Sequence, residues 1–142
     1  QRHPDAVVVV TTNTSYEGCR GMNQSVLDRM SLVRDVELPS PEVMAQRAMS
    51  VTGATDEYEV SKMVQVVNDL ADYGRKNSIT DGSYGMRSLI DWIISSEITG
   101  DVYESALYTI ISKATADELD REALISTVLE PIFAPKRHKA SA

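Results

Sequence analysis

Ser40-Pro41-Glu42-Val43-Met44-Ala45-Gln46 marks the point at which this chain turns helical. A serine hydroxyl can accept from the orphan amides of a first turn, and proline at the first helical position gives up only an amide the helix cannot use. Glu42 then sits against the positive end of the helix dipole. The spacing predicts a helix from residue 40 to about 51, closed by Gly53. Thr55 or Asp56 caps the next, whose face carries Val60, Met63, Val64, Val67, Leu70, Ala71 and Gly74 at three-to-four spacing.

Further on, residues 77–82 are rich in turn formers. A third helix starts near Ser83 and holds Leu89, Ile90, Trp92, Ile93 and Ile94; being apolar over much of its circumference, it is expected at the centre of the group. Asp101 opens a fourth, with Val102, Ala106, Leu107, Ile110 and Ile111. Asp117 opens a fifth, with Leu119, Ala123, Leu124, Val128 and Leu129, until Pro131 disturbs it. Residues 40–135 thus read as an all-helical domain of four or five helices, and 136–142 as a disordered basic tail.

Upstream of residue 40 the pattern is different. Residues 5–11, with four consecutive valines at 7–10, read as a buried strand, and Leu32-Val33-Arg34-Asp35-Val36-Glu37-Leu38 alternates before Pro39 stops it. Residues 23–30 read as a short helix between them. The first strand is apolar on both faces, as a central strand of a covered parallel sheet is. Two strands alone make a poor sheet, so residues 1–39 are expected to be part of a larger α/β layer. The fold class is therefore mainly α, with a two-strand α/β remnant ahead of the bundle.

Composition narrows the function. Hydrophobic content of 42% and charged content of 25% suit a globular protein, and no apolar run approaches a membrane span. Residues 40–135 hold seven basic and sixteen acidic side chains, so this body repels nucleic-acid phosphates. Neither nucleic acid nor membrane is expected as a partner. Cys19 is the one cysteine, which excludes an internal disulfide and favours a reducing, cytoplasmic setting. His3 and His138 have no ligand spacing, so no metal site is expected.

Three residues could carry phosphate chemistry. Asn13 follows the valine run, where side chains at the C-terminal end of a parallel strand face a ligand crevice. Its amide can position water through both donor and acceptor; the alternative is a local turn with Thr14 and Ser15. Arg29 ends the short helix, and its forked, permanently charged guanidinium suits phosphate oxygens, unless it only answers the helix dipole. Arg20, in Gly18-Cys19-Arg20-Gly21, competes for that role. Arg87, in Gly85-Met86-Arg87-Ser88-Leu89, opens a helix where a cation opposes the dipole, which makes sense if an anion belongs there. The alternative partner is Asp91, four residues on.

Thr11-Thr12-Asn13, the run Tyr16-Glu17-Gly18-Cys19-Arg20-Gly21-Met22-Asn23-Gln24-Ser25-Val26-Leu27-Asp28-Arg29-Met30, and Leu38-Pro39-Ser40-Pro41-Glu42 follow one another here. In that order they resemble the second half of an AAA+ ATPase module, most closely its MoxR and dynein-related branch. The resemblance spans residues 5–135 and is dense over 7–42. It implies sensor 1 at Asn13, an arginine finger at Arg29 acting on the adjacent protomer, and sensor 2 at Arg87 in a helical lid. It also implies a ring, often a hexamer, that couples ATP hydrolysis to remodelling of a protein substrate, with ATP and Mg²⁺ held by the full-length parent. Met30 departs from the family, where phenylalanine is usual. The larger departure is that no G-x-x-x-x-G-K-[ST] loop or Walker B acid occurs in these residues. The chain is thus expected to be a fragment that binds no nucleotide and hydrolyses none by itself. The rival reading is a nucleotide-independent helical interaction domain.

Overall fold

The computed structural model describes residues 3, 5–11, 23–34, 39–79 and 85–135. The chain divides into two units, Gln1–Asp35 and Val36–Ala142. In the first, the described residues form one short helix, α1 (Gln24–Leu27), with Asn23 as its N-cap. Turns carry it on, as Arg29 N–H donates to Val26 O and Met30 N–H to Leu27 O.

The expected two-strand remnant is not seen: no strand occurs among the described residues. Residues 6–11 run without regular structure, and Val7, Val8, Val9 and Val10 are 85%, 64%, 80% and 53% exposed. Leu32 and Val33 are also exposed, while residues 35–38 of the second expected strand lie outside the described residues. The reason is physical. A strand satisfies its amides and carbonyls only through a neighbour, and a two-faced valine run needs cover from both sides. Among the described residues nothing supplies either.

The second unit is helical: α2 (Pro41–Thr52), α3 (Glu57–Lys76), α4 (Met86–Thr99), α5 (Val102–Ala106), α6 (Ser112–Ala114) and α7 (Glu118–Leu124). Its helix starts obey local chemistry. Ser40, Asp56, Asp101 and Asp117 each accept from a first-turn amide, so of the two candidates for α3 the cap is Asp56. The hydroxyl of Ser40, after a hydrogen bond from Glu42's own amide, also holds the Glu42 carboxyl below its ordinary range. Gly53 and Gly100 end α2 and α4 in the left-handed region, at φ 80° and 70°. For α4 the described start is Met86 with Gly85 before it; Ser83, where the start was expected, lies outside the described residues.

The fourth and fifth expected helices hold a surprise. Each widens into a π turn, Leu107–Ile111 after α5 and Ile125–Leu129 after α7. Ser112 N–H reaches back to Leu107 O and Glu130 N–H to Ile125 O, five residues each. Hydroxyls take carbonyls beside these turns: Thr109 Oγ1 donates to Ser105 O at 2.6 Å, Ser112 Oγ to Tyr108 O at 2.6 Å, and Ser126 Oγ to Glu122 O at 2.9 Å.

The core forms around α4, as its apolar circumference implied. α2 packs on α3 and α4, α4 on α5 and the first π turn, and α3 on the second π turn. Trp92, Met44, Met63, Leu70, Leu89, Ile111, Leu124 and Leu129 are fully buried. The Trp92 indole donates to Val102 O at 2.8 Å and meets the Phe133 ring edge-on, with centroids 5.5 Å apart. Beside it, buried Ser105 joins Thr99 and Ser95 through hydroxyl contacts of 2.8 and 3.2 Å, which satisfies its polar group. Two assignments fail: Ile94 is 42% and Leu119 77% exposed, although their spacing placed them with the core. No helix of the described residues is long and apolar enough to cross a membrane.

Candidate functional site

Arg87 is the best-defined of the expected site residues. It lies exposed in the first turn of α4, where Gly85 brings no capping side chain and no acid occupies the turn. The contrast with the rest of the unit is sharp. α2, α3, α5 and α7 all begin with a side-chain cap and carry Glu or Asp in their first turns. Those acids answer their helix dipoles from within the chain. At α4 the answering negative charge is missing from the turn, and a cation stands in its place.

The expected alternative partner of Arg87 is otherwise engaged. Asp91 Oδ2 receives the Lys113 ammonium, from α6, at 2.7 Å. Among the described residues Arg87 forms no ion pair. A guanidinium so placed can bind an oxyanion with help from nearby helix amides. It cannot itself move a proton or attack a bond.

Arg29 is exposed in the turn after α1. Its neighbour Asp28 accepts from Gln24 Nε2 at 3.0 Å, and Arg29 makes no ion pair among the described residues. Arg29 and Arg87 belong to different units. Asn13 and Arg20, the other candidate for the finger role, lie outside the described residues, as does the basic tail.

A cavity of about 170 Å³ opens between the start of α3 and the later turns of α4. Val60, Met63 and Ile93 contribute its apolar part, and Asp56, Glu59 and Glu97 its carboxylates. No arginine or lysine lines it, so its charge repels phosphate. Among the described residues no group of His, Cys, Asp or Glu is arranged to hold a metal ion.

Two features escaped sequence reasoning. The Asp91–Lys113 pair joins residues 22 apart on different helices, and no local pattern announces it. Tyr103, whose hydroxyl donates to Glu130 Oε1 at 3.2 Å, is separated from its partner by 27 residues. Partial burial, then Glu130, raises the Tyr103 pKa above its ordinary value. Compared with known proteins, the chain matches no family model, no curated protein and no solved structure.

Proposed function

We propose that this chain supplies the sensor 1, arginine-finger and sensor 2 portion of an AAA+ ATPase of the MoxR-like kind. In that reading ATP and Mg²⁺ are held chiefly by a P-loop portion of the same module. The module works in a ring, often a hexamer, and its hydrolysis remodels a protein substrate. Asn13 orients water at the phosphate, Arg29 reaches the nucleotide of the adjacent protomer, and Arg87 holds phosphate oxygens from the helical lid. Charge neutralisation by a finger arginine is worth roughly 10³ to 10⁵ in rate.

The observation that carries the reading is Arg87: an exposed cation with no ion pair among the described residues, at a helix start stripped of acids. Structural economy alone gives no reason for it, because a cation there opposes the dipole. The motif order from Asn13 to Glu42 supports the same assignment. The acidic cavity takes no part in this reading, because its charge repels phosphate.

The test uses the parent protein. Reading the coding sequence upstream of Gln1 over about 150 residues, one domain's typical length, should find a P-loop and a strand ending in two acids. In that parent, Arg29→Ala and Arg87→Ala should each cut phosphate release at least tenfold while circular dichroism stays unchanged. Wild-type turnover in both variants removes them from the site. Phosphate release by this chain alone, with ATP and Mg²⁺, would defeat the division of labour.

A second reading has its own support. Among the described residues, the helices of the unit Val36–Ala142 bury a shared apolar core. That is what a helical interaction domain needs, and it accounts for the bundle without nucleotide. It leaves the exposed valine run and the bare start of α4 without a purpose.

A further inference from the structure

Arg87 and Asp91 are four residues apart, so on a lone helix they would share one face and meet. In the folded unit they do not. The Lys113 ammonium comes from α6 to within 2.7 Å of Asp91 Oδ2, with side chains 44% and 42% exposed. Two physical reasons favour this outcome. An arginine placed before its acid is the weaker order for an i,i+4 pair, and a cation in the first turn also opposes the helix dipole. Lys113 also sits beside Ala114, which is fully buried, so its position is set by the fold rather than by side-chain ordering alone.

We infer that Lys113 is a positioning residue: by holding Asp91, it keeps the Arg87 guanidinium available to a phosphate group at the start of α4. The inference rests on the phosphate-facing reading of Arg87 and deepens it by naming what guards that residue. Without Lys113, Asp91 becomes the nearest uncompensated acid along the helix, and Arg87 folds down onto it. An oxyanion must then displace a carboxylate instead of meeting an open cation. An exposed i,i+4 pair is weak, so the expected penalty is about twofold in affinity.

The experiment follows the Arg87 Nε–H resonance of the 142-residue chain by NMR, first alone and then during titration with inorganic pyrophosphate at low ionic strength. In Lys113→Met without ligand, the Arg87 signal should move as it pairs with Asp91. Pyrophosphate should then bind about twofold more weakly than to wild type. Lys113→Arg should behave as wild type, and adding Asp91→Asn to Lys113→Met should restore both signal and affinity. Lys62→Met removes the same charge elsewhere on the unit and should change neither.

An unmoved Arg87 signal in ligand-free Lys113→Met overturns the positioning role, whatever phosphate does. A loss of affinity that Asp91→Asn fails to restore also overturns it, because the effect is then one of net charge or fold. If the wild-type signal ignores pyrophosphate while the ligand-free shift appears, the pairing contest is real but the phosphate-facing reading fails, and the inference falls with it.

Discussion

Two apolar stretches of this chain, one near its start and one on α3, meet opposite fates. Val7, Val8, Val9 and Val10 stay more than half exposed, while Met63, Val64, Val66 and Val67 on α3 are buried. Side-chain chemistry does not separate these two groups, but backbone chemistry does. A helix closes its own hydrogen bonds within each turn, so α3 can offer an apolar face as soon as it forms. A strand closes its bonds only across to a neighbour, so the valine run has nothing to present until one is supplied. Hydrophobicity drives burial, yet the element has to stand before its face can be covered.

The sharpest way to break this comparison is Trp92→Ala. Trp92 is fully buried, donates to Val102 O and packs on Phe133. Its loss should cost about 3–5 kcal/mol, read from urea unfolding followed by far-ultraviolet circular dichroism. A cost under about 1 kcal/mol would mean that the helical unit does not depend on this core.

A smaller effect concerns the contact between α5 and the end of the chain's last helical segment. Tyr103 has its pKa raised in the fold, first by partial burial and then by Glu130. The folded state therefore holds this proton more tightly than the unfolded chain does. The resulting stability is fully present below the ordinary value near pH 10 and is lost as pH rises through the raised folded value. Ultraviolet titration should show a late-ionising phenol that disappears in Tyr103→Phe. Glu130→Gln should move its midpoint back toward the ordinary value. A midpoint unmoved by Glu130→Gln would show that burial alone holds the proton.

The smallest effect is expected at the other end. Val9 is 80% exposed, so Val9→Asp should leave the unfolding free energy of the helical unit, read from urea titration, within about 0.5 kcal/mol of wild type. The same charge at Val67, which is 1% exposed, should unfold the unit. Comparable damage from both substitutions would erase the distinction between the two regions.

Much of the helical unit was legible from local rules. Ser40, Asp56, Asp101 and Asp117 cap where the sequence placed helix starts, and Gly53 ends α2 in the conformation glycine tolerates best. Trp92 was expected on a central helix and is fully buried there. These features depend on neighbours within four residues, which a sequence displays directly. Arg87 was legible for the same reason, as a cation in a first turn.

What stayed hidden depends on distant chain. The π turns at Leu107–Ile111 and Ile125–Leu129 shift the register of their helices, and three- and four-residue spacing cannot foresee a five-residue bond. Leu119 kept the right period but faces outward, because the end of a helix is buried only if another element reaches it. The valine run was misread since its apolar pattern states a demand for cover without stating who meets it. By itself, then, the sequence determined the caps, the stops and the apolar faces of the helices, all set by bonds closed within a turn. Only the tertiary structure decided that Asp91 belongs to Lys113 and that Arg87 has no ion pair among the described residues, because that choice is made between charges 22 residues apart, brought together by packing.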